Sequence, residues 1–461
     1  MKSTYMLSRR YLRAVRIPPV RRRTFRFETV ESRSFRVLSL FFRPNQIDSP
    51  MSPTEIKLSQ PGSSDADTET RSSRYEGPAF FSYGFRPFFL SAALFAGIAV
   101  PWWVLIFAAA DSAGFLYPPR EWHVHEMLFG FLSAVMTGFL LTAVPNWTGR
   151  LPVRGRALFG LWSLWLTGRL VLILPWPSPL VAALVDAAFL FAVAWIVWRE
   201  LHASNSWGQA PIGILISAYA SANAAFHVTA LRGFPTDVTE RVALALIMLL
   251  LTMIGGRVVP SFTREFLIQS RVKKLPPPLS RFDGLAIGLV IVAVLAWIAG
   301  PQHPVTGALL LTAGAIHIVR LSRWRGWQTW REPLILILHV GYAWLVLALL
   351  ALGGAAIGVG FSQANAVHIL TTGAVGAMTL GIMTRASLGH TGREKRAGVV
   401  TVAIYLLVNV GGLLRVATPH TEAPTAMTHL ILGLAVVGWS GAYLLFALTY
   451  GRFLIRRNLD E

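Results

Sequence analysis

Histidines are the side chains in this sequence best suited to hold a metal ion, because the chain has eleven of them and no cysteine. Without a thiolate, iron–sulfur clusters and thiolate zinc sites are excluded. Imidazole is a good ligand for copper, iron and zinc. Four histidines lie close to one end of the apolar segments described below and are the predicted metal ligands: His123, His125, His227 and His368. Two more, His339 and His429, are second candidates for a metal or haem ligand.

The densest group of polar residues is Trp122-His123-Val124-His125-Glu126. Residues at i and i+2 of a regular helix point about 200° apart. His123 therefore either lies in loop geometry and turns inward, or serves a different site from His125. Glu126 also has two interpretations. It is either a carboxylate that orients a ligand histidine, or a proton-relay or helix-start carboxylate favoured by the helix dipole.

Two further pairs of polar residues fall inside apolar segments. His339 and Tyr342 share one helix face at i and i+3, which fits either a ligand with a proton donor or a buried hydrogen-bonded pair. Arg169 and Asp186 lie at matched depths on consecutive segments joined by Pro175-Trp176-Pro177. A buried ion pair is the simplest interpretation of Arg169 and Asp186, and a proton path is the alternative.

These residues must be positioned by membrane helices. The 461 residues are 54% hydrophobic and only 14% charged, whereas a soluble domain carries about 25% charged residues. Apolar segments of about 20 residues, long enough to cross a bilayer as helices, recur from Phe85 to the end. The predicted fold is an all-α polytopic membrane protein with about twelve transmembrane helices, which excludes an ordinary soluble enzyme. The predicted spans are 86–110, 123–144, 156–175, 178–200, 209–231, 240–260, 282–300, 303–320, 332–353, 365–385, 396–417 and 425–452.

Loop charges predict the orientation of these helices. The even-numbered loops and the C-terminus hold 21 Lys and Arg residues, and the odd-numbered loops hold four. The positive-inside rule then places both termini in the cytoplasm and the four predicted ligands on the outer side. His303 and His420, in outer loops, are expected to be dispensable. His317 and His339, on the inner side, become the preferred ligands if the outer four fail.

The net charge of +20 does not indicate a nucleic-acid partner, because residues 1–50 hold 12 basic and 3 acidic residues. We expect residues 1–77 to form a basic, disordered tail that contacts anionic lipid, with Met51 as an alternative start. Residues 78–461 then form the transmembrane domain.

An internal repeat relates the second, sixth and tenth spans. His125 is followed by Gly138 and by Thr148-Gly149-Arg150, and His368 is followed at the same distances by Gly381 and by Thr391-Gly392-Arg393. The end of the sixth span places Glu240 at the equivalent position. The pattern indicates a pseudo-repeat of four-helix units, and membrane proteins often bind ligands between such repeats.

Several ordered motifs resemble the NnrS family over a region from about Pro78 to the end. They are Phe85-Arg86-Pro87-Phe88-Phe89, Trp122 to Gly149, Gly255-Gly256-Arg257-Val258-Val259-Pro260 and Met383 to Arg393. The resemblance implies a bacterial inner-membrane protein that contains haem and copper and acts in the response to nitric oxide and in nitrosative-stress tolerance. It does not imply a particular reaction or electron donor. Two classes of function follow: a metalloprotein that binds or transforms nitric oxide, and a transporter or metal-handling permease with histidines along its path.

Overall fold

The computed structural model describes residues 75–108, 116–174, 178–418 and 425–458, and within these ranges it contains helices and no strands. The tail before residue 75, the Pro175-Trp176-Pro177 connection and His420 lie outside the described residues.

Twelve long helices follow one another in the described chain, as the hydropathy pattern predicts. They are α1 Phe85–Ala108, α2 Pro119–Thr148, α3 Arg156–Val171, α4 Pro179–Ala203, α5 Ala210–Leu231, α6 Asp237–Gln269, α7 Arg281–Ala299, α8 Pro304–Arg323, α9 Pro333–Ala356, α10 Gln363–Gly389, α11 Val399–Ala417 and α12 Ala426–Ile455. Eleven of them are long and apolar enough to cross a membrane. The exception is α3, whose 16 residues span about 24 Å at 1.5 Å per residue. The predicted third span, 156–175, is therefore too long at its C-terminal end.

Local sequence sets several helix boundaries. Proline occupies the first turn of α4, α8 and α9, where its missing N–H costs no hydrogen bond. Ser280 and Asp283 form a reciprocal capping box at the start of α7. Gly149 ends α2 with a φ of 68°, a left-handed conformation that glycine adopts without strain.

The helices α2, α9 and α10 lie at the centre of the bundle, with 72–78% of their most apolar windows buried. The helices α2, α6 and α10, which the sequence relates by an internal repeat, each contain a π-helical segment. These segments are Glu126–Leu132, Leu251–Gly255 and Ile369–Val375. In α2 and α10 the seven-residue segment begins directly after His125 and His368, so the π segment occupies the same position in both repeats. In α6 the segment lies further from Glu240, so the middle repeat has diverged.

Two contacts show how the outer helices are held. Gly411 of α11 and Gly438 of α12 bring the two backbones together, because a Cβ at Gly438 would lie 2.6 Å from the Cα of Gly411. Arg86, at the start of α1, is fully buried and donates to the carbonyls of Phe453, Leu454 and Arg456. A cation is favourable at the C-terminal end of a helix. Arg86 therefore stabilises the contact between the start of α1 and the end of α12.

We name the two ends of the bundle by their residues. The histidine end is where α2, α6 and α10 begin, and it carries His123 and His368. The basic end is where these three helices finish, and it carries Arg150 and Arg393.

Candidate metal centre

A cluster of buried polar side chains lies near the histidine end, between α2, α3, α4 and α5. His125 of α2, Asp186 of α4 and His227 of α5 each offer one atom, and the three atoms lie within 4.8 Å of one another. The exposed fractions of these side chains are 0%, 2% and 2%, and that of the neighbouring Arg169 is 3%. We call these four residues, with Glu126 and Asn223, the polar cluster.

Asp186 connects most members of the polar cluster. Its carboxylate accepts from Nε2 of His227 at 2.9 Å, from Nδ2 of Asn223 at 2.9 Å, and from Nη2 of Arg169. Arg169 also donates Nη1 to Glu126 Oε2 at 2.6 Å. Arg169 therefore bridges two carboxylates and not one.

The hydrogen-bond acceptors around His125 favour a positive charge at this position. Its Nδ1 lies 3.2 Å from Glu126 Oε1, and its Nε2 lies 2.9 Å from Asn223 Oδ1 and 3.3 Å from Asp186 Oδ2. The Asn223 amide is oriented by donating Nδ2 to Asp186, so its oxygen faces His125. The imidazole thus meets acceptors on both sides. When both histidines are neutral, the carboxylates of Glu126 and Asp186 and the guanidinium of Arg169 leave a net charge of −1. A proton on His125 or a bound metal cation compensates this charge.

His227 is oriented by Tyr117, whose phenol oxygen lies 2.5 Å from Nδ1 of His227. Burial, and then the Glu126 carboxylate, raises the pKa of Tyr117 above its ordinary value. The phenol therefore keeps its proton and donates it to Nδ1, which leaves the ring proton on Nε2, facing Asp186. A metal ion bound at Nε2 would replace this proton.

The π segment of α2 makes room for the polar cluster and is itself stabilised by neighbouring side chains. A Cβ at Gly130 would lie 2.2 Å from Nη1 of Arg169 and 2.5 Å from Oε2 of Glu126, so any other residue at this position would displace the Arg169–Glu126 ion pair. The carbonyls of Gly130 and Leu128 accept from Trp165 Nε1 at 2.9 Å and from Tyr219 at 2.5 Å. These bonds compensate the altered hydrogen-bond pattern of the π turn.

His123 and His368 face a different space from His125 and His227. Both line a cavity of about 170 Å³ at the histidine end, together with Glu240. The His123 ring stacks on Trp103 with centroids 4.0 Å apart, and its buried Nδ1 has no hydrogen-bond partner among the described residues. Nδ1 of His368 donates to the Ala364 carbonyl at 2.7 Å. The four predicted ligands thus divide into two pairs, which agrees with His123 and His125 serving different sites.

His339 and Tyr342 share a helix but contact different partners. Nε2 of His339 bonds to the Thr263 hydroxyl at 2.8 Å. The Tyr342 hydroxyl lies 2.8 Å from Nδ1 of His317 and accepts from Arg320 at 2.7 Å. The expected pairing of His339 with Tyr342 is replaced by a His317–Tyr342 pair, because the side chains of α8 pack into the space beside Tyr342.

The remaining candidates, His303 and His429, are exposed. His429 lies in the first turn of α12, and His303 lies directly before α8. Leu432, one turn after His429, lines the cavity of His123 and His368. The three-residue group that could hold a metal ion among the described residues includes neither histidine.

Sequence reasoning missed Tyr117 and Asn223 and assigned Glu126 no contact with Arg169. Asn223 lies four residues before His227 in α5, so both lie on one helix face. That spacing is a signal that could have identified Asn223. Tyr117 lies in a loop and its position follows only from the packing of α2 against α5.

Comparison with known proteins identifies a family. The family model described as NnrS protein matches residues 79–457, which include all twelve helices and every member of the polar cluster. Neither the curated proteins nor the solved structures contain a match to this chain. Since the match covers more than half of its length, the chain belongs to the NnrS family.

Proposed function

We propose that this multi-pass membrane protein of the NnrS family holds a metal ion between His125, Asp186 and His227, and binds or transforms nitric oxide there as part of the nitric oxide response. The observation that carries the proposal is the convergence of two imidazoles and a carboxylate within 4.8 Å in a buried cluster. Its uncompensated negative charge favours a cation.

The donor set agrees with copper better than with haem. Two imidazole nitrogens and one carboxylate oxygen suit copper, iron or zinc. A macrocycle needs a cavity beside its axial ligand, and none of the cavities described here is lined by His125 or His227. The cavity at His123 and His368 has only about 170 Å³. We therefore assign no haem to these histidines.

A redox-active metal held by His125, Asp186 and His227 would supply a coordination site for nitric oxide. The protein supplies the environment. Apolar nitric oxide dissolves in the lipid around the bundle, and the buried position of Asp186 excludes water from the cluster. Tyr117 fixes the ring of His227, and Glu126 with Arg169 balances charge beside His125. We further propose a bacterial inner-membrane location with both termini in the cytoplasm, supported by the loop charges.

Metal analysis of the purified protein tests the proposal. We expect stoichiometric copper or iron in the wild type and loss of that metal in His125→Ala and His227→Ala, whereas zinc alone, which has no redox chemistry, would contradict a role in nitric oxide binding. His303→Ala and His202→Ala, which change exposed histidines, should retain it. Addition of nitric oxide should change the electron paramagnetic resonance spectrum of the wild type alone. Full metal content in both ligand variants would refute the assignment.

A second function, passage of a small molecule, is favoured by a row of cavities along α2, α6 and α10. The cavity at the histidine end and an apolar cavity of about 100 Å³ share Leu132 and Val375. The apolar cavity shares Phe139 and Ile382 with a larger one at the basic end. This row supports the permease alternative for uncharged solutes. Flux of a neutral solute into vesicles, slowed by Val375→Trp, would support it, and equal flux in protein-free vesicles would exclude it.

A further inference from the structure

The largest cavity described here lies at the basic end of the bundle. It has a volume of about 480 Å³, within the range of pockets that enclose drug-sized ligands. It is formed where α2, α6 and α10 finish and where α5 and α7 begin. The proposed metal centre lies at the opposite end, so this cavity belongs to a different site.

The charged residues that line the cavity are all basic. They are Arg257, Arg320, Arg385 and Lys395, joined by His390, and none of the described lining residues is Asp or Glu. Two carboxylates outside the lining contact these cations: Asp283 lies 2.9 Å from Arg320 and Glu265 lies 3.5 Å from Arg385. The Glu332 carboxylate also acts electrostatically on Arg385. Four cations thus face three carboxylates, and the site keeps a surplus of positive charge.

Arg320 supplies a buried donor with no partner. Its side chain is 1% exposed, and its Nη2 has no hydrogen-bond partner among the described residues. A buried guanidinium donor left unpaired costs free energy. Arg257, in contrast, donates to Gln209 at 3.1 Å and is exposed at the mouth, as is Lys395.

The deep part of the same cavity is apolar. Phe139, Val258 and Ile382 form its floor, where it meets the apolar cavity at mid-depth. The guanidinium of Arg385 lies 4.1 Å from the ring centre of Phe262. A ligand that fits must therefore carry an anionic group toward the cations and an apolar body toward the floor.

We propose that this cavity binds an amphiphilic anion, with a phosphate or carboxylate group held by Arg257, Arg320, Arg385 and Lys395 and an apolar body between α2, α6 and α10. Arginine binds both groups in a bidentate manner. A membrane lipid with an anionic head group and a free amphiphile from the cytosol share this chemistry. The proposal does not depend on the metal centre.

Binding of dodecyl phosphate to the full-length protein in neutral detergent tests the proposal. We expect saturable binding to the wild type that is weaker by about tenfold or more in the double variant Arg257→Gln/Lys395→Gln, because charge-assisted hydrogen bonds are lost. The matched control is Lys273→Gln/Lys274→Gln, which removes two exposed charges between α6 and α7. This control should bind like the wild type, and inorganic phosphate should not compete.

The outcomes distinguish a specific binding site for the amphiphile from nonspecific electrostatic attraction. Equal weakening in both double variants, or no saturable binding to the wild type, would overturn the proposal. Displacement of dodecyl phosphate in nanodiscs that contain phosphatidylglycerol, but not in those with phosphatidylcholine alone, identifies a lipid as the occupant. Undiminished binding in both nanodiscs identifies a free amphiphile. Size-exclusion profiles show whether each variant is folded.

Discussion

Replacing Arg169 tests the charge balance of the polar cluster. The side chain is 3% exposed and bridges Glu126 and Asp186. Arg169→Gln leaves two carboxylates buried without a guanidinium. Removing one partner of a buried ion pair costs about 3–5 kcal/mol, and we expect a loss of that size in the free energy of unfolding.

The ranking of the variants by their free energy of unfolding shows whether Arg169 bridges Glu126 and Asp186 or pairs with Asp186 alone. If Arg169 paired only with Asp186, Asp186→Asn would be more harmful than the double variant Arg169→Gln/Asp186→Asn. Because Glu126 is also a partner, Asp186→Asn leaves a neutral Arg169–Glu126 pair, whereas the double variant leaves Glu126 alone. We therefore expect Arg169→Gln to cost most, the double variant less, and Asp186→Asn least.

The measurement is reversible unfolding of the chelator-treated protein in mixed micelles with increasing sodium dodecyl sulfate. The control is Arg150→Gln, which breaks an ion pair with Glu200 whose Arg side chain is 47% exposed. A pair this exposed contributes at most about 1 kcal/mol. If Arg169→Gln is no more harmful than Arg150→Gln, or if Asp186→Asn is the worst of the three variants, the bridging argument is wrong.

Three further predictions use other parts of the bundle. Gly130→Ala should lower the melting temperature and the metal content, because its Cβ would overlap Arg169 and Glu126, whereas Gly160→Ala, which meets open space, should change neither; equal effects would contradict the steric argument. Arg86→Gln should destabilise the protein by about 1–3 kcal/mol, since carbonyls at the end of α12 lose a charged donor; an unchanged unfolding curve would argue against that role. A reporter active only in the periplasm, fused after Glu461, should be silent, and activity would invert the proposed orientation.

Hydropathy and loop charge predicted the twelve helices because both signals are spread over many residues. Individual boundaries were less accurate. The true helices α2 and α6 begin before and end after the predicted spans, since polar residues such as Glu121 and Arg264 continue the helix beyond the apolar core. The helix α3 is shorter than expected for the opposite reason, because its apolar residues continue past Val171 into a turn.

The polar cluster was only partly predictable. Membrane depth placed His125, His227 and Asp186 at one end of the bundle. The regular rotation of an α-helix also predicted that His123 and His125 serve different sites if both are helical, and both lie in the α-helical turn Pro119–His125. The π segment that follows His125 has no clear signature in composition. The partner of Tyr342 depended on how α8 and α9 pack, which no pattern within α9 encodes.

The π segments also make chain length, and not only side-chain chemistry, a requirement of this architecture. A π turn holds one residue more than an α turn, so deleting one residue of Glu126–Leu132 would restore a regular helix and leave the two flanking halves of α2 in the same relative rotation. Each residue of an α-helix turns by about 100°. A one-residue deletion in the regular part after the π segment would instead rotate His125 by that angle relative to the half of α2 that lines the basic cavity, although no ligand had been substituted. Deleting one residue of 133–138 is therefore expected to be more damaging than deleting one residue of the π segment, and the same holds for 376–381 in α10.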